Sequence, residues 1–246
     1  MNPQLESYKV NLPGKVLYPE NAEFSVKKIT PFEQKKFYSD MMTAETELEK
    51  RQVVYDLLKR LVVCENYQFE NIYSPDFQYL LYQIRAITYK LFPIKLYHQC
   101  DECGERVSQE LDIAKLDIEV LEKENVVTEV ELENFGKVPF RYKQIKDDIF
   151  IEHWLKNMKI KEDDWMMQFL TLDMLSIDQW KTIEETWGMV IDGTITVQDT
   201  MKIEQIISES MWGVKEELSF KCPKCGKEVV VPYSLDATDF FSSNNS

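Results

Sequence analysis

Two Cys-x-x-Cys pairs, separated by 118 residues, constrain this chain more than any other feature of its sequence. A glycine follows each pair, in Cys100-Asp101-Glu102-Cys103-Gly104 and in Cys222-Pro223-Lys224-Cys225-Gly226. Two intervening residues let both sulfurs of a pair face one ion, and the glycine permits a tight turn whose backbone amides point at the sulfurs. Two such zinc knuckles supply the four thiolates of a closed, structural zinc site. The predicted ligands are Cys100, Cys103, Cys222 and Cys225.

Two other interpretations of these cysteines stay open. A Cys-x-x-Cys pair can act as a redox dithiol, but that chemistry needs a helix N-terminus beneath the first thiol, and both pairs here precede a glycine and a strand pattern. The cysteines can also form two unrelated buried pairs. In zinc ribbons the pairs are usually about 15 to 20 residues apart, so a shared site requires the second pair to return across everything between them. Loss of the ion would then free the intervening segment as well.

The remaining cysteine and the histidine nearest to a pair are interpreted separately. Cys64 comes at the end of an apolar helical stripe, and we expect it in the core because free cysteine behaves as a small hydrophobe. His98 precedes Cys100 by two residues. We expect an exposed histidine at the end of a strand; a replacement metal ligand and a hydrogen-bond neighbour of the site are the alternatives.

The N-terminal part of the sequence predicts a small hairpin followed by helices. Residues 15–18 and 24–29 read as short extended pieces on either side of a polar bend. Thr30-Pro31-Phe32-Glu33 then places an N-cap, a first-turn proline and a capping-box glutamate in the order of a helix start. Apolar residues recur at helical spacing over 46–63, and again after Ser74-Pro75-Asp76. We expect the last two helices to pair.

Extended patterns flank both cysteine pairs. Residues 94–98 and 106–111 surround the first pair, and residues 214–220 and 227–231 surround the second. Each pair is therefore predicted to lie at the tip of a β-hairpin, where a tight turn brings its two sulfurs together.

The residues between the pairs are too many for a loop and enough for a subdomain. Residues 127–135 alternate apolar residues with glutamate, as in a strand with one solvent-exposed face. The remainder predicts four helices, over 147–158, 162–172, 177–188 and after Thr196. Five tryptophans of this part are expected to fill its core rather than bind a ligand: Trp154, Trp165, Trp180, Trp187 and Trp212.

Together these patterns predict an α+β protein. Its parts are an N-terminal hairpin with a helical pair, a zinc ribbon built from two split knuckles, and a mainly helical insertion between them. Three domains are predicted. Residues 1–111 contain the hairpin, the helices and the first knuckle, and residues 112–213 contain the acidic strand segment and the helical insertion. Residues 214–246 then hold the second knuckle and a C-terminal tail that returns to the first.

Composition and charge exclude several classes of protein. The 246 residues are 44% hydrophobic and 29% charged, as in a folded protein rather than a disordered one. The chain has 29 Lys and Arg against 43 Asp and Glu, and the resulting charge of −14 opposes binding to nucleic acid or to an anionic membrane. It begins with no signal-like segment and contains no apolar stretch long enough to span a bilayer. We therefore expect a cytoplasmic, soluble protein.

No enzyme motif is present in the sequence. It contains no G-x-S-x-G, no phosphate-binding glycine loop and no H-E-x-x-H. A zinc hydrolase would require an open coordination position, which four cysteine ligands do not leave. We therefore expect no catalytic residue and no small-molecule substrate.

The acidic excess is concentrated in one segment. Residues 101–133 hold twelve Asp or Glu and three Lys or Arg, a local charge of 3 − 12 = −9. A solvated face is the simpler interpretation, and a docking surface for a basic partner is the alternative. Composition alone does not choose between them.

A series of short segments carries a resemblance to a known family. They are Leu12-Pro13-Gly14-Lys15 with Tyr18-Pro19, the helix of residues 79–89, Cys100 and Cys103 followed by residues 111–116, and Cys222 and Cys225 followed by Asp239-Phe240-Phe241. In this order they resemble the baseplate hub assembly proteins of contractile-tailed bacteriophages, related to those of the T-even phages. The resemblance covers more than half of the chain, whereas Lys90 departs from it and residues 135–213 lie outside it.

The resemblance implies a non-enzymatic viral tail protein that assembles the baseplate hub or forms part of it. It implies contacts with other phage baseplate and tail hub proteins, and a location in the host cytoplasm during assembly and in the virion tail baseplate. It also implies metal binding by Cys100, Cys103, Cys222 and Cys225. The alternative function is a cytoplasmic zinc-ribbon adaptor that binds nucleic acid or transcription machinery, to which the charge of −14 is the main objection.

The C-terminal tail carries two adjacent phenylalanines, Phe240 and Phe241, before a hydrophilic end. We expect them to dock, because each gains roughly 1.5 to 3 kcal/mol when it is buried. The protein's own N-terminal helices are the expected docking surface, and a hub partner is the alternative.

Overall fold

The computed structural model describes residues 6–89, 94–149, 188–190 and 192–232. These ranges contain both helices and strands, which confirms the predicted α+β class. The α-helices described from start to end are α1 (Pro31–Thr43), α2 (Glu47–Leu61), α3 (Ser74–Thr88) and α4 (Val197–Glu209). The strands are β1 (Ser7–Val10), β2 (Glu23–Lys27), β3 (Val62–Glu65), β4 (Ile94–Gln99), β5 (Arg106–Leu111), β6 (Ile118–Glu119), β7 (Glu129–Leu132), β8 (Gly136–Pro139), β9 (Gly213–Val214), β10 (Glu217–Lys221) and β11 (Glu228–Pro232). Within the described ranges no helix is long and apolar enough to cross a membrane.

The N-terminal part forms a three-stranded antiparallel sheet in the order β1-β2-β3. The prediction that residues 15–18 are extended was wrong. Lys15–Leu17 continues the preceding turn as a 3-10 helix, and β1 is the partner of β2 instead. The third strand was missed because Val62–Glu65 follows α2 directly and extends its apolar stripe, although its β-branched residues favour a strand.

The first helices begin where the sequence predicts. The Thr30 hydroxyl accepts a hydrogen bond from the Glu33 N–H at 3.2 Å, and the Glu33 carboxylate accepts one from the Thr30 N–H at 2.9 Å, which completes a capping box. Thr46 accepts a hydrogen bond from the Glu49 N–H at the start of α2. α2 contacts α3, as predicted, and it also contacts α1.

Two apolar cores lie in the described part of the chain. The main core packs the sheet against α1, α2 and α3, with fully or almost fully buried residues that include Val26, Phe37, Leu57 and Ile84. A second core packs the β7–β8 hairpin against α4 and contains buried Trp212. The predicted core position of Trp212 is therefore confirmed.

The β7–β8 hairpin and α4 are joined by a buried carboxylate. β7 alternates as predicted, with its two glutamates exposed and its two apolar residues buried, while its partner β8 was not predicted. Thr196 and Asp199 form the capping box of α4. The buried Asp199 carboxylate also accepts a hydrogen bond from the Glu133 N–H at 2.7 Å. One side chain thus starts the helix and attaches it to the hairpin.

Some sequence predictions fall outside the described ranges. Residues 145–149 are helical, which fits the start of the helix predicted over 147–158. The rest of that helix, the helix over 162–172 and nearly all of the one over 177–188 lie outside. The same holds for Trp154, Trp165, Trp180, Trp187, Phe240 and Phe241.

A buried carboxylate joins three distant parts of the chain. Asp76, in the first turn of α3, accepts a hydrogen bond from the Gly14 N–H at 2.9 Å and another from the Tyr18 hydroxyl at 2.7 Å. The Tyr18 hydroxyl in turn accepts the Tyr73 N–H at 3.1 Å. The buried indole N–H of Trp212 lies beside them, without an aligned hydrogen bond to any described residue. Gly14, Tyr18, Asp76 and Trp212 are named the Asp76 junction.

The Asp76 junction is tightly packed, and burial disfavours the charged form of its carboxylate. Burial raises the pKa of Asp76 to about 6, even though the Gly14 and Tyr18 hydrogen bonds and the nearby Trp212 indole favour its charged form. Burial also raises the pKa of Tyr18 far above its ordinary value, so its hydroxyl remains a donor. A Cβ on Gly14 would lie 2.5 Å from Asp76 Oδ2 and 2.6 Å from Trp212 Nε1. Only glycine fits this turn without displacement of its neighbours.

Candidate metal centre

Two β-hairpins carry the cysteine pairs at their tips, as the sequence predicts. β4 pairs with β5, and the last pair in register before the first knuckle is Gln99 with Arg106. β10 pairs with β11, and the corresponding last pair is Lys221 with Glu228. The two hairpins therefore present their knuckles from equivalent positions.

The backbone of the two knuckles is nearly the same. The Cys100 N–H donates to the Glu105 carbonyl and the Gly104 N–H to the Cys100 carbonyl, both at 2.8 Å. In the second knuckle the Cys222 N–H donates to the Lys227 carbonyl at 2.8 Å and the Gly226 N–H to the Cys222 carbonyl at 2.9 Å. The closing glycines have φ values of 68° and 72°, a left-handed conformation that favours glycine.

The four sulfurs converge on one point from these two hairpins. Cys100 Sγ lies 3.7 Å from Cys225 Sγ, and Cys103 Sγ lies 3.7 Å from Cys222 Sγ. All four sulfurs lie within 4.8 Å of one another, and no disulfide joins them. Around an ion with sulfur ligands at about 2.3 Å, neighbouring sulfurs of a tetrahedron are about 3.8 Å apart. The four-cysteine cluster, Cys100 with Cys103, Cys222 and Cys225, therefore has the spacing of a tetrahedral metal site.

A small apolar cluster supports the four cysteines. Val107 and Val229, each seven residues after the first cysteine of its knuckle, are buried beside Cys100 and Cys222. Phe220 packs partly buried against the same group. Because this cluster is much smaller than the two cores, apolar burial alone contributes little to holding the two knuckles together.

Charge also distinguishes the two knuckles. Lys224 Nζ lies 3.1 Å from a Glu105 carboxylate oxygen, and Lys227 Nζ lies 3.1 Å from one of Glu102. The first knuckle thus presents carboxylates and the second presents ammonium groups. Backbone N–H groups of Cys225 and Lys224 lower the pKa of Cys222 to about 7, whereas burial and the neighbouring thiols raise the pKa of Cys103. Without an ion the four sulfurs therefore do not all ionise together.

His98 and Cys64 lie outside the four-cysteine cluster. His98 is half-buried rather than exposed as expected, because it lies on the inward face of β4 opposite buried Val107. Its Nε2 is buried and has no hydrogen-bond partner among the described residues. Cys64 packs partly buried against the main core, as expected, but from β3 rather than from a helix. Burial, with a contribution from Glu70, raises the pKa of Cys64 to about 11, so its thiol stays protonated at neutral pH.

The Asp76 junction is a buried structural arrangement that the sequence did not predict. The sequence identified Asp76 only as part of a helix start and Gly14 only as part of a turn. Nothing in the spacing of Gly14, Asp76 and Trp212 indicates that a buried carboxylate joins them. The only available signal was an aspartate beside a proline at a helix N-terminus, which is ordinarily a solvent-exposed cap.

A comparison with protein families identifies the family of the chain. The family described as T4 bacteriophage base plate protein matches residues 7–242 of the chain. No curated protein matched the chain. No solved structure matched it either. Because the family match covers nearly the whole sequence, the chain belongs to the T4 bacteriophage base plate protein family.

Proposed function

We propose that this baseplate protein assembles the baseplate hub, or forms part of it, through protein contacts and without catalysis, and that it contains one structural zinc ion. The observation that carries the zinc proposal is the convergence of four cysteine sulfurs from two hairpins 118 residues apart. The proposed ligands are Cys100, Cys103, Cys222 and Cys225. Soft thiolate ligands at tetrahedral spacing favour zinc over magnesium or calcium, which take oxygen ligands.

The role proposed for zinc is structural. Four protein ligands complete a tetrahedron and leave no position for water or substrate. Bound there, the ion would join the tip of the β4–β5 hairpin to the tip of the β10–β11 hairpin, where only a small apolar cluster packs. The other ends of the hairpins pack against the main core through Ile94, Leu111 and Leu218. The division of the chain into 1–111, 112–213 and 214–246 is proposed on the same basis, with the metal linking the first part to the last.

Metal analysis of purified protein tests the zinc proposal directly. We expect about one zinc per chain by inductively coupled plasma mass spectrometry, since one four-cysteine cluster is present in the described residues. Substitution Cys225→Ser should remove it, while Cys64→Ala, at a cysteine outside the cluster, should leave it in place. Full zinc occupancy in Cys225→Ser, or iron in place of zinc in the wild type, would refute the proposal.

Assembly intermediates test the hub proposal. The family match supports contacts with other baseplate proteins and a place in the virion tail. A tagged chain expressed during infection should co-purify with tail hub proteins from host cytoplasm, and mass spectrometry of purified virions shows whether it is retained. Tails that form complete hubs without the protein would contradict the role.

The family match also weighs against the alternative zinc-ribbon adaptor that binds nucleic acid. The charge of −14 opposes that activity for an independent reason. A titration with labelled DNA at two salt concentrations tests it. We expect no salt-dependent binding, and tight binding that weakens with salt would favour the adaptor over the baseplate role.

A further inference from the structure

A cleft of about 510 Å³ lies at the end of the β1–β2 hairpin. Residues of both strands line it, together with the connection between them and Lys123, which comes from another part of the chain. Its apolar lining includes the buried side chains of Leu12 and Phe24 and the more exposed Val16. Binding clefts of roughly 300 to 1,000 Å³ combine such apolar walls with a small number of placed polar groups. This cleft has both the size and the lining of a binding site.

The charged residues that line the cleft include more lysines than glutamates. Three lysines and two glutamates line it, which gives 3 − 2 = +1 in a chain of charge −14. Lys9 is paired with Glu23 at 3.0 Å. Lys15 and Lys123 are exposed, and neither has an ion-pair partner within the described ranges. Exposed Glu20 is the remaining charged residue of the lining. Two ammonium groups without an ion-pair partner and one carboxylate thus remain, and the two ammonium groups provide a site for carboxylates.

Backbone hydrogen bonds bring these two lysines together from distant segments. The Gly14 N–H bonds to buried Asp76, which fixes the turn that carries Lys15. The Leu121 N–H donates to the Pro13 carbonyl at 3.1 Å, which fixes the segment that carries Lys123 beside that turn. Lys15 lies two residues after Pro13, and Lys123 lies two residues after Leu121. The cleft is therefore formed before any ligand binds, so binding has little ordering cost.

We propose that this cleft binds an acidic segment of a neighbouring baseplate protein. Its carboxylates would pair with Lys15 and Lys123, and an apolar side chain between them would lie on the wall around Leu12 and Val16. An extended segment fits best, because β1 lines the cleft and lies at the edge of its sheet. Exposed Glu122 and Glu124 flank Lys123. Recognition therefore depends on direct ion pairs with Lys15 and Lys123 rather than on the overall charge of the chain, which is screened beyond about 8 to 10 Å. The inference rests on the proposed function, because it assumes that the protein acts by protein contacts.

Peptide binding tests the chemistry of the cleft without any phage component. The probe is a fluorescein-labelled nonapeptide in which Asp or Glu alternates with Leu, and its reference carries Asn or Gln at the acidic positions. Fluorescence anisotropy should show binding of the acidic peptide only. Lys15→Glu with Lys123→Glu should weaken it at least tenfold, and the paired arginine variant should retain it because the charge is kept.

A matched control separates local from overall charge. Lys35→Glu with Lys95→Glu changes the net charge by the same amount at two exposed lysines outside the cleft. This control should bind the acidic peptide within twofold of the wild type. The proposal is wrong if the control loses as much affinity as the cleft variant, if the amide peptide binds equally well, or if a ten-nucleotide thymidine strand binds as tightly as the acidic peptide.

Photo-crosslinking during tail assembly identifies the occupant in the complete protein. A crosslinking residue at Val16, in the cleft, should join an acidic segment of another tail protein, and the Lys15→Glu, Lys123→Glu pair should abolish the product. The same residue at Val197, which is exposed on α4 outside the cleft, should give no such product. If the protein enters tails normally but Val16 crosslinks only to its own chain or to a non-acidic segment, the inference fails and the proposed function stands. If the protein never enters tail assemblies, the proposed function fails, and the peptide titration still decides the chemistry of the cleft.

Discussion

The four-cysteine cluster and the Asp76 junction both join the N-terminal part of the chain to its C-terminal part, by different chemistry. The cluster brings Cys100 and Cys103 to Cys222 and Cys225 at the tips of two two-stranded hairpins, in an apolar cluster separate from the two large cores. The Asp76 junction brings α3 and the Gly14 turn to Trp212 in the interior, next to both large cores. One connection depends on a metal ion and the other on packing and hydrogen bonds.

This difference changes what metal loss should do. The sequence alone suggested that loss of zinc would free the whole segment between the knuckles. The structure provides other contacts that hold the end of that segment, since β9 pairs with β6 and Gly213 lies against Pro75, with a would-be Cβ only 3.3 Å from the Pro75 carbonyl oxygen. The Glu216 carboxylate also accepts hydrogen bonds from Gln78 at 2.7 Å and from the Tyr82 hydroxyl at 2.9 Å. We therefore expect metal loss to disrupt the four-cysteine cluster without opening the Asp76 junction.

The largest expected effect is loss of the zinc ribbon in Cys225→Ser. Zinc binding free energy is folding free energy in such sites, so the two hairpins should lose on the order of 5 kcal/mol or more of local stability. Hydrogen exchange should show lost protection at the cysteine-bearing ends of β4, β5, β10 and β11, because their other ends pack against the main core. Protection in β9 and α3 should persist, because the Asp76 junction does not contain the metal.

Cys64→Ala is the control for this substitution, since Cys64 lies in β3 and outside the cluster. It should leave zinc content and hairpin protection unchanged. Loss of protection throughout α3 and β9 in Cys225→Ser would mean that the metal holds the whole fold, and the two connections would then not be independent.

The second largest effect is expected for Asp76→Ala. The substitution leaves the Gly14 N–H and the Tyr18 hydroxyl buried without their acceptor. Buried groups that lose a charged partner cost about 1 to 3 kcal/mol each, so the free energy of unfolding should fall by about 3 kcal/mol in denaturant titrations. Zinc content should stay at the wild-type level, in contrast to Cys225→Ser. Loss of zinc in Asp76→Ala would show that the cluster depends on the interior junction.

Gly14→Ala tests the packing of the Asp76 junction without removing any of its hydrogen-bonding groups. The added Cβ would lie 2.5 Å from Asp76 Oδ2, so either the turn or α3 must shift. Overpacking of this kind costs about 1 to 3 kcal/mol. Gly188→Ala is the control, because its Cβ would meet no atom within 4 Å. Equal unfolding midpoints for the two variants would mean that the junction adapts without cost.

The two connections also differ in how far the sequence predicts them. The four-cysteine cluster could be predicted because thiolate ligands in a knuckle need a fixed spacing and a closing glycine. Gly104 and Gly226 have the positive φ that this turn requires. The helices at Thr30 and Thr196 were readable because capping is local. The burial of Asp76 was not readable, because it depends on contacts across 62 residues that no local pattern specifies. The strand at Val62–Glu65 was missed for a similar reason, since its partner β2 decides its conformation.

A pH series should separate the contribution of Asp76 from that of the metal site. Its pKa in the folded protein is about 6, above the ordinary value of 3.8, because burial disfavours the charged form. The unfolded chain therefore releases this proton at lower pH than the folded one, and the stability contributed by the protonated group is lost as pH rises towards and through 6. Between pH 5 and pH 7.5 the wild type should lose roughly 1 kcal/mol relative to Asp76→Asn. The difference between the two proteins cancels other titrating groups, and a difference that is flat with pH would contradict the raised pKa.

The smallest expected effect concerns the ion pairs around the four-cysteine cluster. Lys227 and Glu102 are both about half exposed, at 47% and 64% of their side-chain surface, so their pair at 3.1 Å contributes only about 0.2 to 1 kcal/mol. Because the first knuckle is acidic and the second is basic, these pairs favour association of the first knuckle with the second over association of two first knuckles from different chains. Glu102→Lys should therefore weaken zinc retention about two- to fivefold in chelator competition at low salt, and Glu102→Lys combined with Lys227→Glu should restore it. At 1 M salt, where the Debye length is about 3 Å, all three proteins should retain zinc equally. If the double variant retains zinc no better than Glu102→Lys, the Glu102 carboxylate stabilises its own knuckle, and the ion pair between the two hairpins does not affect zinc retention.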